Sequence, residues 1–91
     1  MLDQIDKMIE KLDNDKGKTA NTYTVRAMLL AWKDTLKHWP DKAKVRQAMI
    51  QKGGNYAHAK RILDVCDTEE KMLNYIKSLM VFHFPEFKEW F

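Results

Sequence analysis

The chain has a single cysteine, two prolines and three glycines among its 91 residues. One thiol, Cys66, cannot close an internal disulfide, so the sequence reads as a protein of a reducing compartment, with the cytoplasm as the expected location. Few Pro and Gly residues, with 45% hydrophobic against 32% charged, exclude a disordered tail and describe a chain that folds around a core. No apolar stretch approaches the roughly 20 residues needed to span a bilayer. The opening segment MLDQIDKMIEKLD is charged throughout where a signal peptide carries an apolar run. No membrane partner is therefore expected. A chain this short forms one domain, taken as residues 1–91, and removes only roughly 60 to 65% of its unfolded surface from water, which leaves little area for a deep enclosed substrate cavity.

Catalytic and metal-binding chemistry is also sparsely provided for. His38, His58 and His83 are far apart, and none has a second His or Cys at the one-turn spacing of a zinc motif. Cys66 falls on an apolar helix side, where a small buried thiol is the plain reading. Asp3, Asp6, Glu10 and Asp13 are interleaved with Lys7 and Lys11 and read as a solvated helix face, not as converged acids and bases. Gly53-Gly54 lacks the phosphate-loop pattern. The expectation is a non-enzymatic protein without metal or cofactor.

What is present is helical periodicity, with no alternation of the kind a strand requires. Leu2, Ile5, Ile9 and Leu12 form one stripe and predict a helix over 2–13. After a Gly- and Asn-containing loop, Val25, Met28, Leu29, Trp32, Leu36 and Trp39 predict a second over 22–39, stopped by Pro40. A short third helix over 41–52, with Pro40 as its opening residue and Val45, Ala48 and Met49 on its apolar side, ends at Gly53-Gly54. A fourth over 55–65 is capped by Asn55 and carries Ala59, Ile62, Leu63 and Cys66. A fifth over 68–83 follows Asp67 and Glu70, which have the charge and spacing of a capping box. A last turn is placed at 85–90. The predicted fold is all-α, a compact bundle of four to five short helices packed around the stripes of the second and fifth. Met28, Met49, Met72 and Met80 fall on these stripes and read as core filling.

Charge is segregated along this framework. Residues 1–15 carry five acids and two lysines (net −3), residues 16–62 eleven bases and two acids (net +9), and residues 63–91 six acids and three lysines (net −3). Either the acidic ends fold back over the basic middle, or the middle meets an acidic partner, nucleic acid or protein. Its candidate contact residues are Lys42, Lys44, Arg46, Lys52, Lys60 and Arg61, on two short helices joined across Lys52–Asn55. That order of elements suits a helix-turn-helix whose cations neutralise phosphates.

The string around it also resembles the Fis-type helix-turn-helix found at the C-terminus of some bacterial regulators. Ala48, Gly53-Gly54-Asn55, Ala59 and Leu63-x-Val65 stand where that family has its small, turn and apolar positions, over about a quarter of the chain. The resemblance implies DNA binding. Two positions depart from it: Asp64 replaces the turn glycine, and the would-be reading helix begins Asp67-Thr68-Glu69-Glu70, acids that repel phosphates.

The C-terminus is the second feature above background. Phe82, Phe84, Phe87, Trp90 and Phe91 are half of the ten aromatic residues, all within the last ten positions. Chain ends usually fray, so such a segment is buried either in its own core or, through Phe87, Trp90 and Phe91, at an interface with a partner or a second copy. The first expectation for function is a small regulatory protein, an adaptor or inhibitor, that docks on a larger protein. The competing one is a nucleic-acid-binding regulator using the basic flank at 42–66.

Overall fold

In the computed structural model, which describes residues 1–91, the stripe of the first segment becomes helix α1, Leu2–Asp13. Ile5 and Leu12 are fully buried, Ile9 nearly so, and Met8 joins them between the predicted positions. Helix α2, Ala20–Leu36, starts earlier than its stripe suggests because Thr19 and Thr22 tie the first turn: the Thr19 N–H donates to Thr22 Oγ1 at 3.1 Å. It also ends three residues before the predicted Trp39. Pro40 acts further back than its own position, because a proline ring collides with the carbonyl four residues earlier, that of Leu36, and disfavours helical angles at Trp39. The chain instead makes tight turns, with Trp39 N–H donating to Leu36 O at 3.0 Å and Asp41 N–H to His38 O at 2.9 Å, and the Trp39-Pro40 peptide is cis.

Helix α3, Lys42–Gln51, is capped by Asp41, whose carboxylate accepts from Lys44 N–H at 3.1 Å. Pro40 therefore lies just outside the helix and not at its first position, a correction that follows from the aspartate being the better acceptor for a free N–H. The helix closes on Gly53 and Gly54. Gly53 takes a φ of +100°, Gly54 N–H donates to Met49 O at 3.1 Å, and a Cβ on Gly54 would come within 3.0 Å of that same carbonyl oxygen. Helix α4, Tyr56–Val65, then starts as expected on Asn55, which accepts from His58 N–H at 2.8 Å.

The start of α5, Glu69–His83, is displaced from the expected cap. Thr68, not Asp67, receives the Lys71 N–H, at 3.1 Å, while the Asp67 carboxylate turns outward to Lys71 Nζ at 3.1 Å. Glu70 consequently falls at the second helical position, one short of the place from which a capping box is closed. Thr68→Ala is expected to lower the unfolding free energy by about 0.5 to 2 kcal/mol, whereas Asp67→Ala removes only an exposed pair and moves the midpoint far less. Equal shifts in parallel chemical denaturations would return the cap to Asp67.

Beyond Phe84 a single 3₁₀ turn, Pro85–Phe87, carries the chain back onto α5, and Phe87 enters the core. The result is a single all-α domain of five helices with no strand, measuring 39 × 23 × 19 Å. Along the chain α1 packs on α2, α2 meets α3, and α3 packs on α4. One apolar cluster joins them: Val25, Leu29 and Leu36 of α2, Met72, Ile76 and Met80 of α5, Val45, Ile62 and Leu63 of the middle helices, and the α1 stripe. α1 is thus a full member of the core, which is not confined to the stripes of the second and fifth helices. No helix is long and apolar enough to cross a membrane.

Candidate interaction surfaces

An apolar groove opens where α2, α4, α5 and the α3–α4 turn meet. Met28 and Trp32 stand one turn apart on α2, Tyr75 and Leu79 one turn apart on α5, and Met49 of α3 and Ile62 of α4 complete the apolar lining. The Trp32 and Tyr75 rings meet edge to face, centroids 6.1 Å apart, so the two walls touch at their aromatic residues. Small residues keep the groove open: Ala31, Ala59 and Gly54 contribute almost no side chain to it. The buried Thr35 hydroxyl in its lining is already satisfied, donating to Ala31 O at 2.9 Å. Burial raises the Tyr75 phenol above its ordinary pKa. The cavity holds about 320 Å³, within the roughly 300 to 1,000 Å³ of binding pockets in general.

Charge around this groove is of one dominant sign. Lys52 stands among its lining residues, and Arg61, exposed, lies one turn past the lining residue His58 on α4. The neighbouring acid is Asp34, gripped by Lys37 at 2.8 Å and Lys52 at 3.1 Å. These two lysines, Lys37 first, hold its carboxyl down to about 2, so it stays an anion bound to its cations throughout the neutral range.

The six residues of the predicted basic flank are brought onto one helical hairpin but not into one cluster. Lys42 and Arg46 share a face of α3, and Lys60 of α4 reaches toward them with Asp64, its ion-pair partner at 2.9 Å. The Arg46 guanidinium lies over the Tyr56 ring, 5.0 Å from its centroid, an arrangement that fixes both groups. Lys52 belongs to the groove. Lys42, Lys44 and Arg61 make no ion pair, since the acids of α1 are used elsewhere: Asp6 pairs with Lys33 at 2.6 Å and Asp13 with Arg26 at 2.7 Å, both on α2. The acidic N-terminal segment thus pairs with α2 and leaves Lys42, Lys44 and Arg61 of the α3–α4 hairpin unpaired.

At the helix that the Fis-type resemblance would use for reading DNA, the first turn keeps exposed carboxylates at Glu69 and Glu70. Glu69 lies 3.5 Å from the Met1 amine. This end of α5 presents negative charge, not a phosphate-binding surface.

The aromatic C-terminus divides. Phe87 is 3% exposed and stacks on Phe91 with centroids 6.1 Å apart, while Trp90 meets it edge-on at 5.5 Å. Trp90 and Phe91 are half-buried against the core. Lys11 of α1 clamps the segment, its Nζ 5.5 Å from the Trp90 ring centroid and 3.1 Å from the Trp90 carbonyl oxygen. Phe82, by contrast, is 78% exposed.

No three His, Cys, Asp or Glu side chains converge on a point, and burial pushes the Cys66 thiol above its ordinary pKa, away from the reactive thiolate. The groove residues escaped the sequence reading as a site because Met28, Trp32, Met49 and Leu79 all lie on apolar stripes. Nothing in the spacing separates them from Val25, Leu29 and Leu36, the buried positions of the same α2 stripe. No protein-family model, no curated protein and no solved structure matches the chain.

Proposed function

We propose that this chain is a non-catalytic interaction protein, an adaptor or inhibitor, that docks on a larger protein through the groove between α2, α4 and α5. The observation that carries this reading is a half-buried apolar cleft with adjacent Trp and Tyr side chains, bordered by cations. Aromatic residues in such a setting supply large contact area at low conformational cost, and binding energy concentrates on them. The exposed cations of the α3–α4 hairpin, Lys42, Lys44, Lys60 and Arg61, then serve to steer an acidic partner and raise the association rate.

The test is capture from the native host on immobilised protein, comparing the wild type with Leu79→Glu and with a four-site variant in which Lys42, Lys44, Lys60 and Arg61 become Gln. A protein retained by the wild type after nuclease treatment, lost with Leu79→Glu, and associating more slowly with the four-site variant is the expected result. Capture indifferent to Leu79→Glu would sink the groove as the docking site.

A second reading, a nucleic-acid-binding regulator, rests on a different observation: Lys42, Lys44 and Arg61 are free of ion pairs on one hairpin. Under it, binding survives Leu79→Glu, disappears with nuclease, and weakens steeply with salt, the slope falling by about one unit for each phosphate contact removed in the four-site variant.

A further inference from the structure

We infer that the occupant of the groove is an acidic amphipathic helix of the partner protein, an inference that rests on the docking reading above and specifies its chemistry. Three features of the cleft lead there. Its apolar positions come in pairs one turn apart on facing helices, Met28 with Trp32 and Tyr75 with Leu79, the same spacing as the apolar side chains on one face of a ligand helix. Its volume of about 320 Å³ accommodates a few apolar side chains but not a helix, whose diameter is about 10 to 12 Å. The backbone of such a ligand therefore lies across the mouth and inserts only its apolar face. A ligand that adds a strand would need a sheet edge to pair with, and this fold has no strand.

Charge supplies the third feature. A helix lying across the mouth places its flanking residues over Lys52, with Arg61 one turn past the lining residue His58 on α4. Asp34 beside this border is shared between Lys37 and Lys52, which leaves the three groups with one positive charge in excess. Carboxylates beside the ligand's apolar face meet complementary charge, whereas lysines there would face like charge, which disfavours wrong partners more than it changes the fit of the right one.

Display of random peptide libraries on yeast, sorted against the full chain, tests the inference before any partner is identified. The expected binders carry apolar residues three and four apart and an excess of Asp and Glu beside them. They shift the amide resonances of Trp32, Tyr75 and Leu79, and they lose about tenfold or more in affinity against a Lys52→Gln, Arg61→Gln variant. That variant alters only exposed charges, and an unchanged unfolding midpoint shows that it remains folded. Selected peptides that are neutral, basic or proline-rich, or acidic ones indifferent to the double substitution, would overturn the inference. If such peptides emerge while a host protein is still captured through the groove, only the acidic helix is wrong. If the wild type captures no protein at all, the docking reading itself fails.

Discussion

Deletion of Phe87–Phe91 is expected to abolish cooperative unfolding of the domain. Phe87 is 3% exposed and belongs to the same apolar cluster as Met80 and Ile76. Replacing a buried phenylalanine by alanine costs about 3 to 5 kcal/mol, and deletion removes in addition the half-buried faces of Trp90 and Phe91. A domain of this size has about 5 to 15 kcal/mol of net stability in total. Lys11 would lose its ring and its carbonyl partner together, releasing α1 from the far end of the chain. Thermal denaturation followed by circular dichroism is the measurement, with a broad, non-cooperative loss of signal expected. A truncated chain with the wild-type midpoint that no longer self-associates or binds its partner would instead assign Phe87, Trp90 and Phe91 to an interface.

The helices themselves were largely legible, because periodicity and caps are local. Ile5, Ile9 and Leu12, the Asn55 cap and the Gly53-Gly54 stop all lie where spacing and turn chemistry put them. The boundaries that shifted did so through physics acting across several residues. Pro40 ends α2 at Leu36 because its ring excludes a carbonyl four positions back. Asp67 and Glu70 have the composition of a capping box, yet the neighbouring Thr68 hydroxyl takes the N–H and leaves Asp67 to the Lys71 ammonium.

The candidate site was less legible for a different reason. A stripe records which residues are apolar and on one face, but not whether a neighbouring helix covers them. Leu29 and Met28 are adjacent on the same stripe, and the first is fully buried while the second is left half-exposed beside the groove. Charge behaved likewise. Segregation along the chain was visible, but which bases the acidic α1 would neutralise depended on its packing against α2 and not α3.

Trp32→Ala is expected to weaken partner binding by about two orders of magnitude while leaving a folded protein. Trp32 is half-buried, on the wall of the groove, and its ring meets Tyr75 edge-on. Truncating a tryptophan at the centre of an interface costs about 2 to 4 kcal/mol, which is roughly 30- to 1,000-fold in affinity. The substitution also removes the aromatic contact that braces α2 against α5, so part of the loss falls on the free protein. Trp32→Phe separates the two effects, since it keeps an aromatic side chain against Tyr75 but presents a smaller surface to the ligand. Calorimetric titration of the captured partner, or of a selected peptide, alongside unfolding of each variant reads both. Binding that follows the order wild type, Trp32→Phe, Trp32→Ala, with a steeper decline than stability, locates the contact at the groove. An affinity unchanged in Trp32→Ala would remove the groove from the interface and leave the bare cations of the α3–α4 hairpin as the surface to pursue.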